Sequence, residues 1–373
     1  FISRDLGAGY DELGVVLAVF YVLYSLGLVV NGFLGAVASP AKLMVLGGLG
    51  SALISLAIPF TNSFNALVIL WGLNGFLQSA GWPSLVKLAS YALRSGYMSR
   101  GYALVSTSWS LGHALVWLLS IEVVLRFGWR TCFLLNGGAL VLVTLFSASL
   151  LVRVPTEASG QKHGERTLLL RTTVLYISLV SVMHCLAYGA RYLLINYLPS
   201  FLEVTGGTGS MHYSVLLPLA GAAGMVMYAP LFDRVGAGRR PLLVGVMGLA
   251  GSASLWLFPR VYGLWEVLGL LILVVLSTLL YGLETQLTTT IPLAASGRRY
   301  SSLVAGIVDA SGSLGAAIAG IVGGEAMQRG SFEEAAFVWS LALLTLLPLS
   351  LLASRLLQGP EEVDAHSGRQ RQE

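Results

Sequence analysis

The sequence predicts an all-α membrane protein, and three observations carry that prediction. Of its 373 residues, 55% are hydrophobic and 11% are charged, against roughly 25% charged residues in an ordinary soluble domain. Mean hydropathy is +0.77, so the chain cannot cover a surface of its size with polar groups. Finally, its apolar runs are long enough, at about 1.5 Å per residue, to cross a hydrocarbon core of about 30 Å. Continuous apolar runs, rather than alternating ones, point to a helical bundle and away from a barrel of strands.

Taken in order, about eleven spans are expected, over residues 13–37, 43–61, 66–92, 102–125, 129–152, 172–202, 213–232, 242–258, 262–294, 302–327 and 337–357. The longest polar interruption is 153–171, and a charged tail follows the last span. Sixteen of the 22 Lys and Arg residues fall in one alternating set of connections, five in the other, and Arg191 lies within a span. Positive charge collects on the cytoplasmic side, so residues 1–10 are expected outside and the tail inside. An outside start, an odd span count and Phe1 in place of Met fit a chain lacking the first of twelve helices; a genuine eleven-span protein is the alternative. The expected organisation is an N-terminal bundle over 1–152, a cytoplasmic loop over 153–171, a six-helix bundle over 172–357 and a cytoplasmic tail over 358–373. The protein is expected to be a multi-pass monomer of the plasma (inner) membrane, with the lipid bilayer as its constant partner.

Several function classes drop out. The basic residues are scattered through short loops and no nucleic-acid motif accompanies them, so the net charge of +4 reads as topology rather than nucleic-acid binding. Cys132 and Cys185 both fall in spans, without disulfide or metal-ligand spacing. No Walker loop, His-Glu-x-x-His or nucleophile with a neighbouring base is present, so neither an enzyme nor a cofactor is expected. The soluble segments are too short for a nucleotide-binding domain, so transport would run on solute gradients.

Within the spans, polar residues mark a candidate path. An arginine at the centre of a membrane helix costs about 2.5–3.5 kcal/mol on insertion scales and normally faces a partner or a cavity. His184, Tyr188 and Arg191, at i, i+4 and i+7, share one helix face. Glu284 and Asp309 are acids in later spans, expected to compensate Arg191 or to couple transport to protons; interhelix contacts away from the path are the alternative. His184 reads as a proton relay or as an ordinary interhelix hydrogen bond. Tyr188, Gln78, Tyr21 and Tyr24 could hydrogen-bond a substrate or simply pack, and Lys87 carries the same ambiguity.

The loop Asp233-Arg234-Val235-Gly236, followed by Arg239 and Arg240, could latch neighbouring helices, because a carboxylate at a helix end can pair with arginines and cap helix N-termini. This Asp-Arg-x-Gly run resembles the signature of the major facilitator superfamily, and Gly128-Trp129-Arg130 is similar to the Gly-Trp-Arg that opens the sixth helix there. The equivalent loop of the first half, residues 32–40, has no Asp-Arg pair. Gly75, Gln78, Gly81, Trp82 and Pro83 resemble the fourth-helix run of the organophosphate:phosphate antiporters. Arg191 with Pro199-Ser200 is similar to their seventh helix, and Gly306, Gly312 and Gly315 to their eleventh. The resemblance implies a two-bundle fold and exchange of a phosphorylated metabolite for phosphate. It also implies an anion held by an arginine from each half, of which Arg191 is the second. The binding histidine of their fifth helix matches His113 only with a shift. A proton-coupled carrier of an organic acid or drug-like compound, and a transporter-like sensor of a phosphorylated metabolite, are the rival expectations.

Overall fold

A computed structural model describes residues 2–93, 97–151, 170–207, 209–296 and 301–358. Among these, every regular element is helical. The order is α1 (Ile2–Leu6), α2 (Tyr10–Val37), α3 (Pro40–Ala57), α4 (Phe64–Gln78), α5 (Gly81–Ala92), α6 (Met98–Leu151) and α7 (Leu170–Gly206). Then follow α8 (Leu216–Arg234), α9 (Arg240–Leu264), α10 (Glu266–Thr288), α11 (Thr290–Ser296), α12 (Ser301–Gln328), α13 (Phe332–Leu344) and α14 (Leu346–Gln358). The expected loop 153–171, apart from its last two residues, and the tail beyond Gln358 lie outside the described residues, as do Arg94, Arg298 and Arg299.

Nine helices among the described residues are long and apolar enough to cross a membrane. The span expected over 66–92 is not a continuous one of these: it is the pair α4 and α5, broken at Ser79 and Ala80. Pro83 accounts for the break, since its ring has no N–H for the carbonyl of Ser79 and clashes with it. The spans expected over 102–125 and 129–152 are joined in α6, a 54-residue helix interrupted at Gly128 (φ 80°, ψ 168°). That conformation is open essentially to glycine alone.

The halves of α6 pack on different partners, each antiparallel to its own. Before Gly128, the backbone of Ser99 meets Asp233 at the end of α8, and Ser110 donates to the carbonyl of Pro218 near its start (2.7 Å). After Gly128, Gly137 packs on Leu56 and Thr144 on Gly48, retracing α3 backwards. The corner is clasped to α1: Asp5 accepts from Trp129 Nε1 (2.9 Å) and from Arg130, and Arg130 also donates to the carbonyls of Pro59 and Thr61. Those two donors hold the Asp5 carboxyl below its ordinary value.

The core centres on α12, whose most apolar window is 72% buried, against 11% for α6. Small residues let other helices reach its backbone. A Cβ on Gly306 would lie 2.5 Å from the carbonyl oxygen of Leu28 in α2, and one on Gly315 would lie 2.1 Å from that of Cys185 in α7. Neither approach survives a larger side chain, which is the usual reason for small residues between membrane helices. Ser25 of α2 also donates to Ala310 O of α12 (2.8 Å), so the helix of residues 301–328 serves as the backbone against which α2 and α7 are both set.

Candidate functional site

A cavity of about 370 Å³ opens where α2 to α8, α10 and α12 converge. Arg191 stands in its wall, 3% exposed, and Nη2 meets Glu284 Oε1 at 2.7 Å. Four rings surround the guanidinium, with Cζ 4.5 Å from Trp109, 4.7 Å from Tyr188, 5.1 Å from Tyr192 and 4.7 Å from Tyr281. Ring quadrupoles attract a desolvated cation by about 2 kcal/mol in favourable cases. The ion pair uses one prong only: Arg191 Nε and Glu284 Oε2 are buried without hydrogen bonds among the described residues. A guanidinium can hold two oxygens at once, so this one has binding capacity in reserve.

The second acid, Asp309, also lines the cavity. Its Oδ1 lies 3.3 Å from His184 Nε2. Gly312 makes room for that histidine, because a Cβ there would sit 2.4 Å from Nε2. Of the shared face expected on α7, Tyr188 and Arg191 border the cavity, whereas His184 is fully buried behind them. Tyr188 stacks on Tyr192 (4.3 Å) and donates to its hydroxyl (3.0 Å).

The remaining candidates divide. Gln78 and Tyr24 line the cavity, and Gln78 also faces a neighbouring space of about 280 Å³ between α3, α5 and α6. Tyr21 turns away, donating to Asn196 Oδ1 (3.3 Å) and packing edge-on against Tyr192. His113 is not in the wall; its ring lies 4.3 Å from Trp109, which covers Arg191. Lys87 donates to Gly35 O at the end of α2 (2.5 Å).

Away from the cavity, Asp233 accepts from the backbone N–H groups of Ser99 (3.0 Å) and Arg100 (3.3 Å) and pairs with Arg100 Nε (3.4 Å). It thereby caps the N-terminus of α6, where unpaired donors and the helix dipole favour a carboxylate. The arginine it engages is Arg100, 133 residues away, not one of its own loop. Arg240 instead donates to the Phe232 and Val235 carbonyls at the end of α8, and Arg234 and Arg239 are exposed.

Residues 1–320 match the family described as Major Facilitator Superfamily. The chain belongs to that superfamily. It is 22% identical, over 93% of its length and 84% of the relative's, to a probable hexose phosphate transport protein of Chlamydia trachomatis. A putative glycerol-3-phosphate transporter 1 of Arabidopsis thaliana is 24% identical over 95% of this chain and 78% of its own. The membrane sensor protein UhpC of Escherichia coli is 24% identical over 67% of this chain and 63% of its own. These relatives fit the organophosphate branch. The fold matches the crystal structure of the human organic anion transporter MFSD10 (TM-score 0.67, 17% identity, 90% of this chain and 83% of that one).

In this major facilitator protein the sequence reading missed part of the wall. Trp109, Tyr281, Thr285 and Thr288 border the cavity or Arg191. Tyr281, Glu284, Thr285 and Thr288 stand at i, i+3, i+4 and i+7, one face of α10; once Glu284 was placed in the path, that spacing could have found the other three. Trp109 lies one turn before His113 in the polar run Ser106 to Ser110, a signal available but overshadowed by the histidine.

Proposed function

We propose that the chain is a secondary active transporter that exchanges a small organophosphate-type anion for phosphate by alternating access. The observation that carries this reading is the Arg191–Glu284 pair in the cavity wall (2.7 Å): a buried cation whose carboxylate partner among the described residues occupies one prong. An incoming phosphate group would take the guanidinium edge, displacing Glu284, while Gln78, Tyr24 and Tyr188 hydrogen-bond the rest of the solute. The names of the hexose phosphate and glycerol-3-phosphate relatives support the same solute class.

Bundles over 1–152 and 172–357 would rock about this cavity in the plasma (inner) membrane, with the C-terminus cytoplasmic, as the charge bias of the loops suggests. Asp233 would act as the latch, holding α8 to α6 in one conformation and releasing it in the other; Arg240 would stabilise the same corner.

The test is counterflow of labelled phosphate in proteoliposomes loaded with phosphate, sugar phosphates or glycerol 3-phosphate. Arg191→Ala should abolish exchange and Arg191→Lys should reduce it about 10–100-fold, since lysine keeps the charge and loses the fork. Exchange of every anion at the wild-type rate by Arg191→Ala would end this reading. A second reading, a proton-coupled carrier of an organic acid, is favoured by the two acids lining the cavity; uptake driven by a pH gradient without counter-anion would select it.

A further inference from the structure

Anion exchange at Arg191 uses Glu284 and leaves Asp309 without a task. Asp309 Oδ1 meets His184, but Oδ2 has no hydrogen bond among the described residues, and it is not among the fully buried polar atoms. That second oxygen therefore faces the cavity that Asp309 lines.

The charge on this carboxylate is not cancelled within the wall. Arg191 and Glu284 neutralise each other. His184 would cancel Asp309 only as an imidazolium, which has two N–H donors. Its Nδ1 is buried without a partner, so a proton there would be an orphaned donor in an apolar surround. The neutral tautomer, with its hydrogen on Nε2 toward Asp309, fits the site better. The other charged or titratable groups near the pair are the rings of Tyr188 and Tyr192 on α7 and Tyr24 on α2, and the Arg191–Glu284 pair itself; none of the rings supplies a cation. With both carboxylates ionised the cavity would carry one net negative charge, and an anion displacing Glu284 from Arg191 would add to it. Low-dielectric surroundings penalise such an imbalance.

On the reading that Arg191 binds the phosphate group, we infer that the solute is a zwitterion: an organophosphate bearing an ammonium group, which docks on Asp309 Oδ2 between the rings of Tyr24 and Tyr188. Those rings line the same cavity, and ring faces favour an ammonium ion. The two poles are built on one helix face, since His184, which orients Asp309, and Arg191 are seven residues apart, about 10 Å along α7. Arg191 and Asp309 line the same cavity, so one small solute can present a pole to each. A metal ion is a poorer occupant, because no group of three or more His, Cys, Asp or Glu gathers among the described residues.

The experiment compares O-phosphoethanolamine with n-propyl phosphate, in which a methyl group replaces the ammonium. Each competes against labelled phosphate counterflow in proteoliposomes holding the full chain, and each is scored for raising the unfolding temperature of the purified protein. In the wild type the amine should compete at about tenfold lower concentration and stabilise more strongly. Asp309→Asn should bring the two within about twofold of each other; the ratio, not the overall rate, is the readout. Equal competition in the wild type overturns the inference, as does a preference that survives Asp309→Asn. It is also overturned if propyl phosphate enters with a proton and Asp309→Asn abolishes that pH dependence, because the compensating charge is then a proton. If phosphate counterflow itself is absent, the exchange reading fails while the stabilisation arm still decides on the zwitterion.

Discussion

Arg191 is kept in an apolar helix by one carboxylate and four rings, and each contact can be tested singly. On the proposed reading, Glu284 competes with the solute for the guanidinium. Glu284→Gln should lower the half-saturating phosphate concentration about tenfold and slow exchange, because the bound anion then leaves less readily. An unchanged half-saturation, measured by counterflow at graded phosphate, would remove Glu284 from the competitor's role. At this scale the sequence was most legible where a charge interrupts an apolar run, which is why Arg191, Glu284 and Asp309 stood out. Trp109 did not, because a tryptophan in an apolar helix has the same pattern whether it meets lipid or caps a cation. His113 attracted attention by its chemistry, yet its ring lies tilted against that tryptophan, outside the cavity wall.

Helices in this protein are positioned as much by what is absent from their side chains as by what is present. On α12, an added Cβ at Gly315 would fall 2.1 Å from a backbone oxygen of α7, which cannot rotate away. Gly315→Ala should therefore destabilise the protein by about 1–3 kcal/mol, an overpacking cost, read as a lower midpoint in thermal unfolding. Gly207→Ala, whose cost comes from its φ of 86° and not from packing, is a useful contrast, since it should leave the α7–α12 spacing intact. Element boundaries were legible where the chemistry is local: Pro40 opens α3, and the polar loop around Asp233 separates α8 from α9. What the latch holds was not legible, because Asp233 reaches Ser99 and Arg100 only through the tertiary fold. The break before Pro83 was readable in principle, but the surrounding apolar run reads straight through it.

Across the whole molecule, the proposed alternating access would require α2 and α12 to separate at one end and α5 to leave α12. Ser90 of α5 and Ser301 of α12 have hydroxyl oxygens 3.4 Å apart, close enough for a cystine in their place. Oxidised Ser90→Cys/Ser301→Cys should lose phosphate counterflow and regain it with reductant, with the single variants and native Cys132 and Cys185 as controls. Full exchange in the oxidised pair would show that this contact need not open. Membrane class and superfamily were legible at this scale, because hydropathy and short loop motifs survive without knowledge of contacts. The described helices follow the expected order: nine are long and apolar enough to cross a membrane, with the expected spans 102–125 and 129–152 joined in α6 and the span 66–92 divided between α4 and α5. The cavity's shape was not legible, because it depends on nine helices whose mutual distances no single segment encodes.

Gly128 bears on how the chain enters the bilayer in the first place. As a continuous rod, a helix of 54 residues would measure about 80 Å and could not be seated in one leaflet-to-leaflet crossing. Because one residue makes the corner, no length of connecting chain lets the halves of α6 settle one after the other. In the proposed orientation Arg126 and Arg130, on either side of that corner, must be carried across together, shielded by Glu122 and Asp5. In that orientation the two halves of α6 would enter as a hairpin, and Gly128→Ala is expected to lower the amount of protein found in the membrane fraction rather than to slow exchange.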